Sequence, residues 1–133
     1  MNKNKTYNIY WRNIEIGQFA EESMDMSYLD GKMISNDSKN AYQFIKIASE
    51  LDIKSVMLNP QNGIRATLKD ETDFIMNVLV LGLDENMELS LKMIVGKQET
   101  IDWYLKNVPE EKLLTTKPIV NTGFWYKIKN MFK

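Results

Sequence analysis

The chain has 133 residues, a length for one domain that buries about two thirds of the surface its unfolded form exposes. It is 44% hydrophobic and 26% charged with net charge −1, the balance of an ordinary globular domain. It holds no cysteine and no histidine, which excludes disulfides, thiolate nucleophiles, cysteine-type zinc sites and every Ser-His or Cys-His pair.

Losing the commonest general base and metal ligand shifts the expectation away from an enzyme: no catalytic residue, no metal and no cofactor is assigned. The N-terminus carries no apolar run of signal-peptide length, and no stretch approaches the roughly 18 apolar residues of a membrane span. A cytoplasmic protein is the default expectation. Charge is unevenly spread. Lys3, Lys5 and Arg12 open the chain without an acid, and five lysines from Lys112 to Lys133 close it the same way. The ends thus carry +3 and +5, so residues 13 to 111 must carry −9 to reach the net −1. Such a body repels phosphates, which argues against nucleic acid, and suits a basic protein partner.

In chain order, residues 6 to 19 alternate about Arg12-Asn13 and are rich in β-branched and aromatic residues, predicting a hairpin. Gly17 marks a bulge or a close backbone approach. Met24, Met26 and Tyr28 alternate next. Asp30-Gly31, the favoured pair for a type I′ turn, predicts a second hairpin turn at that point. A helix over Ser38–Leu51 follows from the stripe Ala41, Phe44, Ile45, Ala48 and Leu51, with Asp37 or Ser38 as cap. A third hairpin is expected from a strand at Val56–Leu58, a loop at Asn59–Gly63 and a return over Ile64–Leu68, with Arg65 facing solvent. Phe74–Leu83 is apolar on both parities and predicts a central strand. It turns at Asp84–Asn86 into an alternating strand from Met87 to Val95. Ile101, Tyr104, Leu105 and Val108 predict a helix over Glu99–Val108 that Pro109 stops. Residues 123–133 have the spacing of an amphipathic basic helix, suited to docking on the domain, on a second copy in a homodimer, or, as a weaker alternative, on an anionic membrane. No repeat or linker divides residues 1–133, which read as a single domain.

The chemistry-bearing residues are acids and aromatics. Glu21, Glu22 and Asp25 form one acidic group, and Asp70, Glu71 and Asp73 another. A carboxylate hydrolase needs two acids about 5 to 10 Å apart in a cleft, which sequence proximity does not supply. The reading preferred from the residues is an interface, in which these six acids face a basic partner. Trp11 and Trp103 lie on apolar stripes and are expected in the core. Trp125 lies off its stripe and joins the candidate contact residues. Neither phosphate loop, GxGxxG or GxxxxGK[ST], is present.

The stretch YNIYWRNIEIGQFAEESMDMSYLDGKMIS, about a fifth of the chain, resembles the N-terminal part of small bacterial immunity partners of polymorphic toxins. The shared elements are an IGxF-like strand at Ile16–Phe19 and a DxxYLxG-like stretch from Asp25 to Gly31. The resemblance implies a tight inhibitor that covers a toxin's active site, with the acidic loops set against a basic toxin or nuclease. The expected fold is α+β: an antiparallel sheet of hairpins with two or three helices packed on one face.

Overall fold

The structure, a computed structural model, describes residues 5–111. Six strands form a closed antiparallel barrel: β1 (Thr6–Trp11), β2 (Ile14–Asp25), β3 (Tyr28–Ser35), β4 (Ile64–Lys69), β5 (Ile75–Leu83) and β6 (Glu88–Met93). Around the barrel the order is β1-β2-β3-β6-β5-β4, and β4 pairs back onto β1. Three helices accompany it: α1 (Lys39–Ser49), α2 (Ile53–Leu58) and α3 (Gln98–Asn107). The expected α+β class and antiparallel sheet stand, and closure of that sheet into a barrel is the added feature.

Alternation fills the interior. Tyr7, Ile9 and Trp11 of β1 point inward, as do Leu29 and Met33 of β3, Ala66 and Leu68 of β4, and Leu89 and Leu91 of β6. Bulges reset the parity elsewhere. Ile9 pairs with Gly17 and Tyr10 with Glu15, so Ile16 is the extra residue and turns inward ahead of Phe19. In β5, Val80 pairs with Leu91 and Gly82 with Ser90. Leu81 therefore stays outside with Leu79, while Leu83 returns to the interior.

The helices cover what alternation leaves apolar. Ser38 caps α1 by accepting the Ala41 N–H at 3.1 Å, as its position predicts. Ala41, Phe44, Ile45 and Ala48 enter the interior cluster, where Phe44 meets Trp11 edge-on at 5.8 Å. The outer face of β5 is a second core. Leu79 and Leu81 there are covered by Val56 of α2, Tyr104 of α3 and Val108. Burying each such side chain stabilises the fold by roughly 1.5–3 kcal/mol before entropy is charged.

Several expectations change. The turn between β2 and β3 is at Met26-Ser27, and Asp30-Gly31 lies inside β3, with Glu21 paired to Gly31 and Ser23 to Asp30. The reason is crowding. A Cβ on Gly31 would overlap the Ala20 carbonyl oxygen across the bulge at Glu22, so the glycine serves a close approach and not a turn. Gly17 does the same against the Ile34 carbonyl, at φ +146°, as expected. Arg12 and Asn13 (φ 54° and 65°) make the predicted first hairpin turn.

Val56–Leu58 is helical, and a short 3-10 turn (Pro60–Asn62) follows it. That segment reads as a strand by composition, but a closed barrel has no edge to pair it. Packing of Val56 on the second core decides instead. Arg65 is half-buried, and its Nε donates to the Val108 carbonyl at 2.7 Å. In α3 the covered stripe is Ile101, Tyr104 and Val108. Leu105 and Trp103 lie off it, and Trp103 is 41% exposed against the expected core position.

Gly31→Ala is expected to cost about 1–3 kcal/mol, the range for forcing extra atoms into a packed site. Asp30→Ala, which loses an exposed cross-strand hydrogen bond from the Ser90 hydroxyl, should cost less than about 1 kcal/mol. Urea unfolding of both variants checks this, and equal losses would contradict the placement of Asp30-Gly31 within a strand.

Candidate functional site

Antiparallel pairing assigns each loop to an end of the barrel. Thr6 pairs with Ala20, Tyr28 with Lys92 and Lys69 with Ile75. The start of β1, the β2–β3 tip, the exit of β6 and the β4–β5 turn therefore share one end. The opposite end holds the Arg12-Asn13 turn, the entry to α1 and the Asp84–Asn86 turn. Sequence reading found two acidic groups without knowing whether they meet. Both run into the same end of the barrel.

Tyr7 stands between them. Its ring packs at 6.4 Å from Phe19 inside the barrel, and its hydroxyl reaches Glu21 Oε1 at 3.5 Å. Burial raises the Tyr7 pKa, and the charges of Glu21 and Asp70 push it the same way. Glu21 and Asp70 thus flank one phenol. Asp70 is also a turn former: its Oδ1 accepts from the Thr72 N–H (2.8 Å), the Thr72 hydroxyl (2.6 Å) and the Phe74 N–H (3.1 Å). Glu71 is exposed beside it, and Asp73 pairs with Lys69 at 3.3 Å, its side chain 83% exposed. Asp25 is exposed at the last position of β2.

Glu22 departs from this group. It faces the outer wall formed by β3 and β6, where its carboxyl shares a hydrogen bond with Glu88 near Lys32 and Asp30. The Glu21-Glu22 step, adjacent in sequence, is divided by the bulge into a rim position and a wall position. Trp125 and the helix expected over 123–133 lie outside the described residues.

Sequence reading weighed the acids of this end but passed over its apolar groups. Met24, Met26, Phe74, Ile75 and Val95 are all exposed there, Met26 at 87%. Met26 also adopts φ 58°, a left-handed conformation that costs most side chains energy and that Gly, Asn or Asp would take more easily. No local signal marked it, because Met26-Ser27 has no favoured turn residue and the turn-favouring pair Asp30-Gly31 lies inside β3.

Among the described residues, no group of three or more acids could hold a metal ion, and no helix is long and apolar enough to cross a membrane. Compared with known proteins, the chain matches no family model, no curated protein and no solved structure.

The two perturbed acids titrate with opposite sign. The Thr72 hydroxyl, more than any other group, holds Asp70 below the usual carboxylate range. Its ionisation favours the fold above the unfolded value near 3.9, and that contribution is lost as pH falls through the lowered one. Glu22 is raised, first by its hydrogen bond with Glu88, then by desolvation and the Glu88 charge. Its contribution is complete below the ordinary glutamate range and is lost as pH rises through the raised value. Glu22→Gln should therefore raise the thermal midpoint at pH 7 and leave it unchanged at pH 3, whereas Asp70→Ala should lower it, and by more at pH 7 than at pH 3. Melting curves at the two pH values check both signs.

Proposed function

We propose that this chain is a protein-binding module whose contact surface is the barrel end carrying the β2–β3 tip and the β4–β5 turn. Its partner is a basic protein, and the resemblance of residues 7–35 to toxin immunity partners supports a bacterial toxin or nuclease as that protein. In this reading the chain does no chemistry itself and acts by covering its partner.

The observation that carries the reading is Met26. A large apolar side chain projects into solvent from a turn position that disfavours it, and a retained local cost of this kind points to use elsewhere. Around it, Met24, Phe74 and Ile75 supply adaptable apolar contact area. Asp25, Glu71 and Asp73 supply a negative rim, which speeds encounter with a basic surface and rejects acidic ones. The division is that of an interface with apolar anchors inside a polar border.

Two variants test this in opposite ways. Met26→Asn should stabilise the turn by about 1 kcal/mol, because asparagine tolerates the left-handed region. It should also weaken partner binding by about thirtyfold or more, the loss of one interface anchor. Asp25→Lys with Glu71→Lys and Asp73→Lys should remain folded, though less stable because residue 73 sits at φ 65° and loses its pair with Lys69, and should lose the partner at low salt. Capture from a lysate of the native host, at low and high salt, gives the readout. Wild type should retain one basic protein that salt releases, and undiminished recovery by the triple variant would sink the electrostatic part of the reading.

A further inference from the structure

Running from that end along the wall, the outer face of β1, β4 and β5 forms a shallow groove of about 320 Å³ lined by Tyr10, Asn13, Thr67, Lys69, Ile75 and Asn77, and it shares Ile75 with the proposed contact surface. Strand register builds it. Tyr10, Thr67 and Asn77 lie side by side across the three strands, and Lys69 sits next to Ile75 in the adjoining row. Arg65, one row further along β4, is engaged by Val108 and Pro109, so the covered and open parts of the face meet there.

Three features distinguish this groove from a merely solvated strand face. Asparagine is depleted in strands, yet Asn77 lies within β5, half-buried, and Asn13 overlooks it from the hairpin turn. The side-chain amides of Asn13 and Asn77 and the Thr67 hydroxyl make no hydrogen bond to any described residue. Among the described residues Lys69 is the one charged group of the lining, and the carboxylates of Asp73 and Glu15 touch the groove at its border, on Lys69 and on the Tyr10 hydroxyl.

We propose that this groove binds a small sugar acid, a single pyranose ring bearing a carboxylate. An amide offers a donor and an acceptor, and a hydroxyl does the same, which matches the paired donor and acceptor character of sugar hydroxyls. The Tyr10 ring and Ile75 offer apolar area to the C–H face of a pyranose. The Tyr10 hydroxyl is directed to Glu15 Oε1 at 3.4 Å, away from the role of a free donor. Lys69 receives the carboxylate. Its present partner, Asp73, is an exposed ion pair of the kind that exchanges readily. The volume stands at the lower end for small-molecule sites and suits one ring. This assignment does not rest on the protein-binding reading.

The test is an amide-resolved NMR titration of the full chain with D-galacturonic acid, with D-galactose as the uncharged sugar and acetate as the bare carboxylate. The expected result is saturable shifts confined to residues 8–13, 65–69 and 75–77 with galacturonic acid, at least about tenfold tighter than with galactose or acetate. Lys69→Met and, separately, Thr67→Val should each weaken binding by about tenfold, the loss of one charge-assisted or neutral polar contact, with the thermal midpoint unchanged. If either variant unfolds, the other carries the comparison. Absence of saturable shifts in these strands, equal affinity for acetate, or equal affinity for galactose would each overturn the assignment.

Discussion

Only Asn8, Ile9 and Tyr10 of β1 pair with β4, and beyond them the two strands part. A sheet that closes on itself must complete this last seam or expose two unpaired edges. Here a non-strand segment completes it. The Arg65 N–H donates to the Pro109 carbonyl, Arg65 Nε to Val108, the Trp11 indole N–H to Glu110, and Arg12 pairs with Glu111 at 2.9 Å. Four residues after α3 thus tie β4 to the end of β1. Trp11 is the pivot. Its ring fills the interior against Phe44, while its one polar atom leaves the core at the seam and finds a carbonyl there.

Closure governs how this molecule can meet others. Each of the six barrel strands pairs with two neighbours, so addition of a partner's strand to an open edge is not the mode that the barrel wall offers. What remains are side chains on the ends and on the outer faces. One end is occupied by α1, whose apolar stripe merges with the interior. At the other, Tyr7 and Phe19 lie inside and the loops above them carry methionine, phenylalanine and acids into solvent. The two ends therefore differ, one covered by a helix and the other open with apolar and acidic loops.

The six acids singled out from the sequence are not equivalent in the folded chain. Asp70 spends one oxygen on holding its own turn, and Asp73 answers Lys69. Glu21 is tied to Tyr7, and Glu22 shares a bond with another carboxyl on the wall. The Glu88 carboxyl raises the Glu22 pKa, so the fold is slightly less favoured once Glu22 ionises. A charge count treats all of these as one negative field. Their separate hydrogen bonds show which are structural and which still face solvent.

Local rules were enough to place much of the chain. The α1 cap and stripe, the Arg12-Asn13 turn, the alternation of β6 and the apolar run of β5 are each set by neighbours within a few residues, and they were legible for that reason. So was the absence of histidine and cysteine chemistry. The tertiary structure decided whatever depends on residues far apart in the chain. Gly31 is a glycine because the Ala20 carbonyl presses on it, not because it turns. Residues 53–58 are helical because the closed sheet has no edge for them and the outer face of β5 needs a cover. Whether the two acidic loops meet was fixed by strand order and register, which no periodicity encodes. Sequence pattern selects the element and its buried face, while burial of that face against distant partners selects its neighbours, and those neighbours compose the surface available for function.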